Sequence, residues 1–278
     1  MPAKKRFCTL RDPVVAGVFY PAQKGLLADM VDRSCRKPAV KKDLLAVIAP
    51  HGGYLFSAVV AGAVYSCSGP CSTAVIVGPK HTKQGSPFAL ITEGIWKTPF
   101  GEIRVHQELA EVLLEEADGS LEKDALAHKE DHSIELQLPF LQRVVKIRRF
   151  VPVLLSEAEN PSYREIGQAI ARALKRVREK GKVLLVATCD LTRYESQEIA
   201  CRKDRLVIQS ILGLNDSGLV ETAGHHSVSM CGAYSVATVI AAAKAMGASA
   251  ARLVSYKTSG DATGEYESVV GYAGITIS

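Results

Sequence analysis

Two apolar runs that each end in a proline and then a histidine constrain this chain more than any other feature. Leu44-Leu45-Ala46-Val47-Ile48-Ala49-Pro50-His51 and Thr73-Ala74-Val75-Ile76-Val77-Gly78-Pro79-Lys80-His81 read as buried strands that stop at an imidazole. Unbroken apolar strands are those covered on both faces, as in parallel sheets. Between them, Leu55 to Cys67 is apolar and small enough for a packed helix. A strand–helix–strand unit crosses over right-handedly and makes its two strands parallel. Both histidines then leave the same carboxyl edge, on neighbouring strands, where open α/β sheets bind ligands. Paired imidazoles at such an edge point to a metal site.

The rest of the chain repeats the alternation. Strands are expected over 44–49, 73–78, 87–92, 148–155, 182–188, 251–257 and 268–276. Helices are expected over 24–36, 55–67, 106–117, 133–145, 161–179, 196–212 and 231–246. Strands alternating with helices give an α/β/α three-layer architecture around a mixed, largely parallel sheet. The last two strands, joined through Ser259-Gly260-Asp261-Ala262-Thr263-Gly264, are expected to pair antiparallel at one edge. No Ser/Gly/Pro-rich linker or internal repeat interrupts the sequence, so residues 1–278 read as one domain.

Hydrophobic residues make up 47% and charged residues 23%, a globular and not a disordered balance. The net charge of +5 comes from Lys4-Lys5-Arg6, Lys41-Lys42 and a basic stretch from Arg172 to Lys182 that alternates with apolar residues at helical spacing. That is an ordinary solvated helix face, and with no recognition motif it gives no reason to expect nucleic acid. Cys231 to Ala251 is the most apolar long segment, yet Lys244 and its Ser, Thr and Gly content mark a buried core helix and not a membrane span. Pro13 and Gly17 interrupt the only apolar stretch near the N-terminus, which argues against a signal peptide. Seven scattered cysteines, an odd number, point to reduced thiols and a cytoplasmic setting. Cys67-x-x-x-Cys71 has no second pair of the kind a zinc site needs, so it reads as structural.

Further donors are expected at the same edge. Asp190 follows the 182–188 strand directly. His132 opens a helix, and Glu135, three residues on, is positioned to orient its imidazole. Cys231 begins the small-residue helix, where the dipole favours a thiolate. Each has a plainer reading: Asp190 as a cap, His132 as a helix-start pair, Cys231 as a small buried residue. His106 and His128 are expected to be solvated. Of the adjacent His225 and His226, at most one can face a shared site.

At this point longer motifs come together. Ala49-Pro50-His51-Gly52-Gly53-Tyr54-Leu55-Phe56-Ser57, Val77-Gly78-Pro79-Lys80-His81, and Asp131-His132-Ser133-Ile134-Glu135-Leu136-Gln137-Leu138-Pro139-Phe140-Leu141-Gln142 resemble the Memo family. So do Cys231-Gly232, the Ser259 to Gly264 run and Ser268-Val269-Val270-Gly271-Tyr272, in an ordered match that begins at Val15. Microbial members of that family form part of the "AmmeMemoRadiSam" system. The resemblance implies a fold like the class III extradiol (LigB-type) dioxygenases, with the iron-site carboxylate replaced by cysteine. It implies His51, His81 and Cys231 as metal ligands, with His132 and Asp190, the candidate catalytic residues, lining the pocket; Tyr54, in the His51 motif, is a candidate substrate contact. Imidazole and thiolate donors suit iron(II) or copper, with zinc also compatible, over magnesium or calcium.

The chain departs from that family in two places. Arg193 stands where the family shows a histidine that matches the dioxygenase base, and Ala233 where it commonly has an arginine. A guanidinium cannot accept a proton, so ring cleavage by the inherited route is not expected. Arg193 is instead suited to an anionic substrate or to pairing with Asp190. Three roles remain open at the level of sequence. The first is a redox-competent iron or copper protein acting on a small molecule. The second is an adaptor that binds a phosphopeptide-like anion. The third is an accessory partner of a radical SAM enzyme or an AMMECR-type protein. No nucleic-acid or membrane partner is expected.

Overall fold

The strands that carry the two histidines are held apart by a third. The computed structural model describes residues 10–36, 43–156, 162–177 and 181–278. Lys4-Lys5-Arg6, Cys8, Lys41-Lys42 and the ends of the 161–179 helix lie outside the described residues. The strands are β1 Leu10–Arg11, β2 Ala46–Ala49, β3 Thr73–Pro79, β4 Phe88–Leu90, β5 Ile95–Thr98, β6 Gly101–Val105, β7 Glu122–Lys123, β8 Arg149–Leu155, β9 Val183–Thr188, β10 Arg193–Glu195, β11 Ala251–Thr258 and β12 Val269–Ile277. They form one twelve-stranded mixed sheet with the order β1-β5-β6-β8-β3-β9-β2-β12-β10. β11 pairs with β12, and β4 bridges β7 and β8.

The centre, β6-β8-β3-β9-β2, is parallel throughout. β3 and β2 are therefore parallel as expected, but they are not neighbours. β9 enters between them, with Val77 opposite Ala187 on one side and Ala49 opposite Thr188 on the other. β11 and β12 pair antiparallel, as their loop implied, and β12 also pairs antiparallel with β2. β2 and β3 are buried along their whole lengths, which is why they read as unbroken apolar runs.

Helices α1 Lys24–Ser34 and α2 Tyr54–Ser66 pack together, and α2 covers β2, β11 and β12. On the other side α3 Gln107–Glu116 packs on α5 Tyr163–Val177, which in turn packs on α8 Ala233–Ala245, and α8 spans β3, β8, β9 and β2. α6 Gln197–Leu212 and α7 Asp216–His225 flank the end of the sheet near β12, and α9 Gly260–Thr263 is a single turn before it. Between α3 and α5 in the chain lies α4, a run made of a 3-10 turn Glu135–Gln137, an α turn Leu138–Phe140 and a π turn Leu141–Val145. Pro139 brings no N–H to that run, so a regular ladder cannot continue through it. No helix of the described residues is long and apolar enough to cross a membrane.

β5 and β6 form a hairpin that the apolar-run reading passes over. Their exposed Glu102 and Arg104 alternate with buried Ile103 and Val105, a period-two pattern in place of a continuous run. The two-residue strands β1 and β7 and the bulged β10 are too short to carry a local pattern. α7 starts on Asn215, whose side chain accepts the Gly218 N–H at 3.0 Å, and its glycines weaken the helical signal.

Candidate metal centre

Three parallel strands deliver their C-terminal residues to one place. Beyond β2, Pro50 turns the chain and His51 follows, 2% exposed. Its backbone N–H donates to Asp190 Oδ1 at 2.8 Å, so the loop after β9 grips the loop after β2. His51 Nδ1 lies 2.7 Å from Thr188 Oγ1. That oxygen also accepts from Gln137 Nε2 at 3.1 Å, and the amide nitrogen is identified by its second bond, to the carbonyl of Pro50 at 3.0 Å. The other ring nitrogen, Nε2, points at Cys231 Sγ at 3.0 Å. A neutral imidazole nitrogen and a thiolate this close each present a lone pair, and a proton or a cation must lie between them.

His51, His81 and Cys231 place one donor atom each within 4.8 Å of one another. That spacing suits a first-row ion, whose bonds to nitrogen and sulfur run about 2.0–2.3 Å. Burial, with the charges of His81 and His132, holds the His51 pKa well below the ordinary imidazole range, so the ring is neutral as a ligand must be. The donor set therefore fits a borderline transition metal.

Cys231 does not open the helix as its position in the chain implied. α8 starts at Ala233, and Cys231 instead forms an antiparallel bridge with Asp190, donating its N–H to the Asp190 carbonyl at 3.0 Å. Gly232, at φ 107°, makes the turn between sulfur and helix. A Cβ there would sit 2.6 Å from the Thr188 carbonyl, so this position requires glycine.

His81 is partly exposed. Asp131 accepts its backbone N–H at 2.6 Å with Oδ2 and faces its Nδ1 with the same oxygen at 3.5 Å. His132 stacks on it, ring centroids 4.5 Å apart at 25°. Burial and the charge of His81 keep the His132 pKa below its usual value. Asp190, expected in this pocket, is there, with Oδ2 3.9 Å from His51 Nε2. Burial pushes its carboxyl up to about 6, against the opposing pull of its bonds from His51 and Gly52. Arg193 stands on β10, with Nε donating to the Ser229 carbonyl at 3.1 Å, two residues before Cys231.

Other expectations are corrected. Tyr54, expected to face a substrate, turns into the core: it is 3% exposed, packs on Tyr20 and Phe140, and donates its hydroxyl to the Leu136 carbonyl at 2.6 Å. Glu135 does not serve His132, because its fully buried carboxylate accepts from Arg11 Nη1 at 2.7 Å, from Tyr20 and from the Val14 and Val15 N–H groups. His106 and His128 are not solvated. His106 caps α3 through Nδ1, and His128 is enclosed near Trp96. His225 and His226 are exposed at the end of α7 and join no donor group among the described residues.

Four contributors went unrecognised in the sequence: Asp131, Thr188, Gln137 and Tyr272. Tyr272 lies over Gly52, where a Cβ would come 2.9 Å from its hydroxyl. Burial and the charges of Asp190, Tyr194 and Cys231 raise its pKa. The one local clue was Asp131-x-Ser133, in which Asp131 Oδ1 accepts the Ser133 N–H at 2.9 Å, a side-chain turn that fixes the approach to α4.

Residues 11–276 match the model of the Memo-like protein family. A MEMO1 family protein of Methanopyrus kandleri is 41% identical over 279 residues, covering 95% of this chain and 98% of its own length. One from Methanococcus maripaludis is 38% identical over 286 residues, covering 96% and 99%. One from Pyrobaculum arsenaticum is 34% identical over 279 residues, covering 96% and 98%.

Proposed function

Because the chain belongs to the Memo-like family, we propose that it is a mononuclear metalloprotein in which His51, His81 and Cys231 hold iron or copper for redox or oxygen-linked chemistry. The observation that carries this reading is the convergence of two imidazoles and one sulfur, from three distant parts of the chain, at the carboxyl edge of the sheet. Three protein donors leave positions for a small ligand, the pattern of a reactive and not a closed structural site. When bound, the ion supplies a Lewis acid and an electron acceptor or donor.

The protein's own groups prepare the site. Thr188, held by Gln137, sets the ring plane of His51, and Asp131 sets that of His81. Asp190, with its carboxyl near 6, holds or releases a proton beside His51 close to neutral pH. His132, neutral and stacked on His81, accepts one on the other side.

A second reading is a non-catalytic binding protein that uses the same pocket for an anionic ligand, with a radical SAM enzyme or an AMMECR-type protein as partner. The lack of any bond from the Nη groups of Arg193 to a described residue favours it.

Purification without oxygen, followed by metal analysis, separates the two. Wild type is expected to hold one iron or copper per chain, and His51→Ala, His81→Ala and Cys231→Ala are each expected to lose it. Wild type that is metal-free but binds an anion through Arg193 supports the adaptor. Zinc as the sole metal rules out the redox assignment.

A further inference from the structure

We propose that the guanidinium of Arg193 recognises the carboxylate of a small monoanionic ligand bound beside the His51, His81 and Cys231 cluster. The proposal rests on the metal reading above and names the ligand class of that site.

Arg193 is held more firmly than a surface arginine. Its backbone N–H donates to Ser229 Oγ at 2.7 Å, Ser229 Oγ returns a bond to the Arg193 carbonyl at 3.2 Å, and Nε donates to the Ser229 carbonyl at 3.1 Å. Ser229 stands two residues before Cys231, and Cys231 bridges Asp190, so the guanidinium is tied to the segment that carries the sulfur. On the preceding loop, Thr192 is anchored by buried Asp204, which accepts its N–H at 2.9 Å and the Tyr256 hydroxyl at 2.7 Å.

The strand itself is distorted here. Arg193 pairs with Val270 and Glu195 with Val269, which leaves Tyr194 as an extra residue. Tyr194 adopts φ 61°, unusual for a tyrosine, and is 77% exposed. Such bulges re-aim side chains next to functional sites.

With Nε committed, the two Nη groups have no hydrogen bond or ion pair with any described residue. Arg193 forms no ion pair with Asp190, although its charge acts on both Asp190 and His51. A guanidinium offering two parallel N–H groups matches a carboxylate. The neighbouring carboxylates favour a monoanion over a dianion: Asp131 Oδ2 lies 3.5 Å from His81 and Asp190 Oδ2 lies 3.9 Å from His51, so each further negative charge on a ligand meets more repulsion. A phosphate dianion would face Asp190 with one cation for support, since Lys80 Nζ is turned to the Thr82 carbonyl at 2.6 Å.

Calorimetric titration of metal-loaded protein tests this, with acetate, lactate and benzoate as probes and their amides and phenyl phosphate as controls. Metal content is measured on every preparation. At least one carboxylate is expected to bind wild type about tenfold or more tightly than its amide and than phenyl phosphate. Arg193→Gln is expected to lose about tenfold or more of that affinity while keeping its metal, with Arg193→Lys intermediate. Wild type that holds metal but binds none of the carboxylates overturns the proposal and leaves the metal reading intact. Equal carboxylate affinity in Arg193→Gln, or tighter phenyl phosphate, also overturns it. Arg193-dependent carboxylate binding by a protein that takes up no metal supports the anion site and removes the metalloprotein.

Discussion

Asp131 holds His81 at two points with one carboxylate oxygen: the backbone N–H at 2.6 Å and the ring Nδ1 at 3.5 Å. The other oxygen accepts the Ser133 N–H and hydroxyl at 2.9 and 2.7 Å. These bonds and the charge of His81 overcome the effect of burial and keep the carboxyl well below its usual range. A carboxylate behind a ligand imidazole fixes its tautomer and raises its basicity. Asp131→Asn is therefore expected to lower metal affinity by about 10- to 100-fold with the fold retained. Competition against a chelator measures it, and an unchanged affinity would remove Asp131 from the centre.

Acid sensitivity is expected from His128, outside the site. Its Nδ1–H donates to the Asp124 carbonyl at 3.0 Å, and Nε2 has no hydrogen-bonded partner among the described residues. Burial lowers its pKa to about 4. The unfolded chain takes up the proton near the ordinary value of about 6.5 and the folded chain does not, so stability falls as pH drops between those values. The loss is about 3 kcal/mol across the window. Urea titrations at neutral and acid pH should show a shallower decline for His128→Asn than for wild type. Parallel declines would assign the sensitivity elsewhere.

Replacing Gly232 with alanine should disturb sulfur and helix together. The residue's φ of 107° and the Thr188 carbonyl 2.6 Å from a Cβ leave no strain-free position for a methyl group. A loss of about 1–3 kcal/mol is expected, with metal content reduced because Cys231 is displaced. A melting temperature and metal content equal to wild type would contradict the geometry.

Glu135→Gln tests the base of the site. The carboxylate is fully buried and is the ion-pair partner of Arg11, whose guanidinium also covers the Trp96 ring at 4.0 Å. Removing one member of such a pair strands the other charge, at a cost of about 3–5 kcal/mol. Chemical denaturation should show that loss, and a change below about 1 kcal/mol would mean that Arg11 finds water.

How far the chain could be read from its residues follows from the range of each signal. The strand–proline–histidine units, the small-residue α8 and the antiparallel closing strands were legible because burial on both faces writes a local apolar pattern. His51 and His81 came with them. Cys231 and Asp190 were legible as residues at element ends, but their mutual bridge was not, since it joins positions 41 residues apart in the chain. Tyr54 sits in the same motif as His51 and reads the same way in sequence, yet its ring turns into the core and its hydroxyl to Leu136.

The amino-acid order by itself determined an α/β fold with two imidazoles at one edge of its sheet, because apolar periodicity and crossover handedness act over short stretches. Tertiary structure decided that β9 lies between the two histidine strands, bringing Thr188 and Asp190 to His51, and that Asp131 backs His81. Strand order and hydrogen bonds between distant loops depend on packing of the whole core. No window of sequence contains both partners.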